Sequence, residues 1–217
     1  MNRFDLQSWN DEEVKNLADK GEFIGIFEYA IRLYNQEKYR ESFAYFYKIK
    51  DYDNFFIWEH IISIAYHYEK GIISDKEIFD FLIRRHNKGS SYYTYILAYF
   101  YKEGRGTRKS LKKYIEMLSI CAKDGSSSAT IELAECYEKG IGVNKSLNKA
   151  FDLYYHYVDE HCKMDYWCAY KAAYYMLHEL GGAKKDMRSI EYHLRFASRV
   201  HQEAKTLYKE LFNKDPE

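Results

Sequence analysis

The sequence predicts an all-α protein, a right-handed α-solenoid of about five antiparallel helix pairs with a capping helix at each end. Three observations point there. Leu97, Ala98, Tyr101, Gly104, Gly106, Ser110 and Lys113 recur 36 positions later as Leu133, Ala134, Tyr137, Gly140, Gly142, Ser146 and Lys149. A further 40 positions on, Ala129, Gly142 and Ser146 fall on Ala169, Gly182 and Asp186, although Tyr137 and Gly140 meet Leu177 and Leu180. A period of this size marks a stacked helical repeat. Second, Ala129, Leu133, Ala134 and Tyr137 lie on one stripe of a helix with 3.6 residues per turn. Third, the single proline is Pro216, so no ring interrupts a helix before the end of the chain.

Each element follows in order. Residues 1–20 read as a polar lead and a short helix capped by Asn10 or Asp11, an N-terminal cap for the array. Residues 22–50 form a helix pair: Ile26, Tyr29, Ala30 and Leu33 stripe its first helix, Tyr39, Ser42 and Phe46 its second, and 35–38 is the turn. Residues 54–87 form the next pair, with Ile61, Ile64, Ala65 and Tyr68 on one stripe and Ser74 with Glu77 as a capping box. The pairs at 90–124 and 127–161 are the clearest units. In them Gly140 ends a helix in the left-handed conformation, Gly142 reverses the chain, and Ser146 caps the second helix, as Ser110 and Asp186 do in theirs. A pair at 165–198 follows. A terminal helix at 200–213 then places Ala204, Leu207, Tyr208 and Leu211 on one face. No linker composition divides the chain, so residues 1–217 read as one domain.

The spacing of Ala129, Leu133, Tyr137, Gly140, Gly142, Val143, Lys149, Ala150 and Tyr154 resembles the Sel1-like repeat, a relative of the tetratricopeptide repeat. Cys121, Ala122 and Gly125 stand where that family closes the preceding unit. Thr107 replaces the usual valine, Ala98 and Ala134 a usual glycine, and Tyr157 with Val158 the usual two alanines. The resemblance implies a non-catalytic interaction protein that binds another protein or a peptide on its concave face. It also implies an alternative, an immunity or inhibitor protein that occludes a toxin or enzyme. Cysteine-rich members linked to binding or hydrolysis of penicillin-like compounds suggest a third reading, a hydrolase or ligand-binding enzyme. Their regular cysteine pairs do not occur here.

Composition narrows the classes. With 33 basic and 33 acidic residues the net charge is zero, which argues against general affinity for nucleic acid or an anionic membrane. The first residues lack the apolar core of a signal peptide and no apolar run reaches the length of a membrane span, so a cytoplasmic protein is expected. Cys121, Cys136, Cys162 and Cys168 share no repeat position and read as reduced thiols. His156, His161, Cys162, Cys168 and His178 carry zinc-ligand chemistry, but no CxxC or HxxxH pair stands among them, and no metal or other cofactor is expected. The Gly-x-Gly turns follow helices and lack the third glycine of a phosphate loop. The one SxxK match, at Ser110 to Lys113, is a helix cap followed by the repeat's lysine. No nucleophile, base and orienting group converge, so no catalytic residue is assigned.

Tyrosine is the compositional extreme, with 24 residues. Tyr101, Tyr137 and Tyr154 occupy packing positions, and others fall where a partner would meet them. In a paired-helix array the first helix of each pair lines the concave side. With Leu133 and Tyr137 packed inward, the groove positions are Ile131, Glu135 and Glu138. Equivalent offsets give Tyr95, Tyr99 and Lys102, then Ile62, Tyr66 and Glu69 upstream, and Lys171, Tyr175 and His178 downstream. Aromatic anchors among separated charges suit protein recognition.

Overall fold

The computed structural model describes residues 6, 8–52, 54–68, 71–160 and 165–216. Every regular element among them is helical. Contacts gather the chain into two compact units, Met1–Ile78 and Phe79–Glu217, where the sequence reads as one. The division falls inside a helix, so no linker composition marks it.

The first unit holds α1 (Asp11–Asp19), α2 (Phe23–Asn35), α3 (Tyr39–Lys48), α4 (Phe55–Ser63) and the start of α5 (Asp75–Asn87). Asn10 caps α1 in a full capping box with Glu13, its side chain accepting the Glu13 amide at 3.0 Å. Arg32 on α2 ties the segment before α1 in place. Its Nη1 donates to the Trp9 carbonyl at 2.9 Å and to Asp11 at 2.8 Å, and its Nη2 donates to the Leu6 carbonyl at 2.8 Å. Of the expected stripes, Ile26, Ala30 and Leu33 are buried on α2 and Ser42 and Phe46 on α3, with Ser42 Oγ donating to the Ala30 carbonyl at 2.8 Å, while Tyr29 and Tyr39 are only half-buried.

Two details of this unit differ from the sequence reading. Tyr68 was expected on the buried stripe with Ile61, Ile64 and Ala65, yet it is 47% exposed. Residues Ile64–Tyr68 form a π-helical turn, whose i→i+5 bonds rotate later residues off the 3.6-residue stripe. Tyr68 instead stacks on Tyr39, ring centroids 3.7 Å apart. Ser74 caps α5 as expected, accepting the Glu77 amide at 3.2 Å. The Glu77 carboxylate does not close the box; it accepts the Tyr47 hydroxyl from α3.

The second unit carries the rest of α5 and then α6 (Ser91–Glu103), α7 (Leu111–Lys123), α8 (Ser127–Lys139), α9 (Leu147–Glu160), α10 (Tyr166–Leu177), α11 (Met187–Ala197) and α12 (Gln202–Phe212). Gly104 and Gly140 end α6 and α8 in the left-handed conformation at φ 76° and 74°. Ser110, Ser126, Ser146, Asp165 and Asp186 cap the following helices through their side chains. Pairs α6/α7, α8/α9 and α10/α11 pack internally, and α7/α8 and α9/α10 join one pair to the next. The core runs through Ala134, Ala150, Tyr154, Cys168, Ala169, Ala172, Ala173, Ile190 and Leu194, where alanines let helices approach closely. Tyr137 is half-buried instead of fully packed, with Lys149 over its ring at 5.2 Å and part of the side chain on an open cleft. Ala204 and Tyr208 bury the inner face of α12.

Candidate functional site

The site is built on α6, α8 and α10, the first helices of three successive pairs. Tyr95 and Tyr99 stand one turn apart on α6 and are half-buried, their rings edge to face at 5.5 Å. Both hydroxyls donate to the carboxylate of Glu132 on α8, that of Tyr95 at 2.5 Å. A third hydroxyl, from Tyr114 on α7, donates to the other oxygen of Glu132 at 2.8 Å. Lys102 lies over the rings of Tyr99 and Tyr114, at 5.3 and 5.2 Å from their centroids. Burial, then the Glu132 carboxylate, pushes the hydroxyls of Tyr95, Tyr99 and Tyr114 above the ordinary tyrosine range, because ionising any of them would set an anion beside an anion.

A second knot joins α8 to α10. Glu138 accepts the Tyr175 hydroxyl at 2.8 Å and pairs with Lys171 Nζ at 2.7 Å. Lys171 also sits near the faces of Tyr154 and Tyr175, at 5.4 and 5.7 Å. Between the two knots, Glu135 pairs with Lys139 one turn along its own helix at 2.7 Å. Ile131 is half-buried against the core of the unit. His178 is exposed at the end of α10, its ring 4.4 Å from that of Tyr174.

Of the residues expected to face a partner, the structure brings Tyr95, Tyr99, Lys102, Glu135, Glu138 and Lys171 to this face, half-buried. Tyr175 is corrected: it is 2% exposed, its ring parallel to Phe151 at 6.0 Å, so only its hydroxyl reaches the face. The more variable third unit shifts the register, and the offset that exposes Tyr99 buries Tyr175. Ile62 belongs to the first unit and is half-buried on α4. The side chain of Tyr66 and all of Glu69 lie outside the described residues.

Sequence reasoning missed Glu132 and Tyr114, although both left a trace. Glu132 stands where the neighbouring units have Ile96 and Ala172, and Tyr114 where they have Ala150 and Ile190. Two polar departures from the repeat, each opposite the other, were the available signal. A cleft of about 550 Å³ between α7, α8 and α9 was also not foreseen. It exists because Ser119 stands where the next junction has Tyr155, whose ring meets His193 at 6.0 Å, and Ser119 turns its hydroxyl back onto the Ile115 carbonyl.

Among the described residues no three His, Cys, Asp or Glu side chains are grouped to hold a metal; His161 and Cys162 lie outside them. Cys121, Cys136 and Cys168 are free and buried, and burial pushes the Cys121 thiol up to about 11. Among the described residues no helix is long and apolar enough to cross a membrane.

No protein-family model matches the sequence, and neither does any curated protein. Solved structures do resemble the fold. A protective antigen present in uropathogenic Escherichia coli strains, displaying an SLR fold, superposes on 93% of this chain with a TM-score of 0.69 at 15% identity. A Sel1 repeat protein from Oxalobacter formigenes superposes on 86% with a TM-score of 0.63 at 19% identity. The chain has the Sel1-like repeat fold, an all-α solenoid. It spans 44% of the first of these proteins and 75% of the second. The Sel1-like turn is the αL glycine that ends α6 and α8 followed by the capping serine, and it folds α7 back on α6 and α9 back on α8, while α7 packs on α8 to join the pairs. That placement is what brings Glu132 under two tyrosines of the preceding unit.

Proposed function

We propose that this chain is a non-catalytic protein–protein interaction module, taking a partner protein or peptide on the α6–α8–α10 face that a solenoid turns inward. The repeat fold supports an interaction role in general. The observation that carries this face is the pair of hydrogen-bonded knots at Glu132 and Glu138. They hold tyrosine rings, lysines and carboxylates in fixed positions before any partner arrives, so little side-chain ordering remains to oppose binding. Half-exposed Tyr95 and Tyr99 supply aromatic contact, and Lys102 and Glu135 supply charges that orient the partner. A cytoplasmic location belongs to the same reading and is supported by the free buried thiols. An immunity role would be this activity with a toxin as the partner.

The test is quantitative capture from the native host with the wild-type chain and with Lys102→Glu/Glu135→Lys, followed by mass spectrometry and by titration of the captured protein. A partner held by the wild type should bind the variant at least about tenfold more weakly, with native helicity retained. Tyr95→Ala/Tyr99→Ala should weaken the same complex by at least about 2 kcal/mol, with some loss of stability because the two hydroxyls also tie α6 to α8. Equal capture by wild type and charge variant would sink the assignment of this face.

A further inference from the structure

Away from that face, α10 and α12 border an open cleft of about 330 Å³ with two unlike walls. The α10 wall carries Tyr170, Tyr174 and His178 at i, i+4 and i+8, a single helical stripe. Tyr174 is 37% exposed and Tyr170 half-buried, so both rings present π-surface to the cleft. The α12 wall carries Glu203, Leu207 and Glu210 at i, i+4 and i+7, with both carboxylates exposed and the leucine half-buried between them. Among the described residues neither Glu203 nor Glu210 has an ion-pair partner. Two lysines of this end are engaged elsewhere, Lys209 with Asp215 at 2.5 Å and Lys214 with Glu191 at 2.6 Å, and Lys205, two positions after Glu203, falls on another side of α12 and does not line the cleft. Electron-rich ring faces opposite unpaired carboxylates form a site for cations, and an anionic surface would be repelled.

We propose that the α10–α12 cleft binds a basic segment of a partner protein, two arginines lying over Tyr170 and Tyr174 and pairing with Glu203 and Glu210. Arginine suits the site better than lysine, because its planar guanidinium stacks on a ring while its edge donates two parallel hydrogen bonds to a carboxylate. The spacing sets the segment. Seven helical residues place the two carboxylates about 10 Å apart along α12, close to one three-residue turn of polyproline II chain at about 3.1 Å per residue, the conformation that returns side chains i and i+3 to the same face. The ligand is therefore an Arg-x-x-Arg stretch in the polyproline II conformation, with a small or apolar residue over Leu207. Apart from His178 the cleft shares no residue with the α6–α8–α10 face, so binding at either surface can fail without the other.

The test is fluorescence anisotropy at low ionic strength with a labelled Gly/Ser peptide carrying Arg-x-x-Arg, and with the same peptide carrying neutral citrulline in place of arginine. The arginine peptide should bind the wild-type chain, while citrulline or the variant Glu203→Gln/Glu210→Gln should each weaken binding about tenfold. Tyr170→Leu/Tyr174→Leu, checked for native helicity, should weaken it severalfold. The distant pair Glu116→Gln/Asp152→Gln should leave it unchanged. Absence of binding to the wild type, undiminished binding to Glu203→Gln/Glu210→Gln, or an equal loss in the distant pair would each overturn the proposal. Undiminished binding to the leucine variant would remove the rings from it.

Discussion

At the scale of single residues, the second unit turns on carboxylates that accept hydroxyls from neighbouring helices. Glu132 takes three tyrosine hydroxyls, from α6 and α7, on its two oxygens. Hydrogen bonds to a charged acceptor are stronger than neutral ones, so Glu132→Gln should lower stability by about 1 to 3 kcal/mol in denaturant melts. Tyr154 shows the opposite case. Its ring is fully buried, but its hydroxyl has no hydrogen-bond partner among the described residues. Tyr154→Phe removes an unsatisfied polar atom and keeps the ring, so it should leave stability unchanged or raise it by up to about 1 kcal/mol; a loss above that would mean the hydroxyl is satisfied. Neither effect was legible in the sequence. Tyr154 was read correctly as a packing position, yet a hydroxyl's partner depends on side chains from other units. Glu132 stands at a position where the neighbouring units hold Ile96 and Ala172, so the repeat gives no reason to expect a carboxylate there.

At the scale of elements, the turns were the most legible part of the chain, since glycine and capping side chains have local reasons to stand where they do. Gly140 sits at φ 74° with only ordinary contacts around a would-be Cβ. Gly140→Ala should therefore cost about 1 to 2 kcal/mol, the backbone conformation alone. Gly181, at φ 59°, differs, because a Cβ there would collide with the backbone carbonyl of Leu147 on α9. Gly181→Ala should exceed Gly140→Ala by at least about 1 kcal/mol in the same assay, since the last turn of the array and α9 must separate to admit a methyl group. Equal losses would mean that this turn yields without cost. The elements read less well are those whose deviation is set by packing, such as the π-helical turn at Ile64–Tyr68, for which an unbroken apolar stripe predicts an ordinary helix.

At the scale of the whole molecule, the tyrosine content becomes a statement about alkaline stability. Tyr95, Tyr99, Tyr114, Tyr154 and Tyr175 have hydroxyls held above the ordinary tyrosine value of about 10, first by burial and then by neighbouring carboxylates, Tyr99 also feeling Tyr95. Above that value the unfolded chain gives up protons that the folded chain keeps, so the unfolded state binds fewer protons and stability must fall as pH rises. The contribution is fully present below pH 10 and is lost above it. Thermal melts should fall progressively from about pH 10 upward, and the late tyrosinate absorbance should appear together with loss of helicity. Tyrosines that all ionise while the helices persist would contradict the buried knots.

The carboxylate of Glu132 bears on how such a chain can change its length. Repeat arrays commonly grow or shrink by whole units, because each unit meets its neighbours through interchangeable surfaces. Here the unit beginning at α8 needs the tyrosines of the unit beginning at α6, and the unit beginning at α10 needs Glu138 from the one before it. Excising or duplicating the middle unit would strand a half-buried charge, or three hydroxyls, at the new seam. The order of these three units is thereby written into their side chains, and they would have to be inherited together.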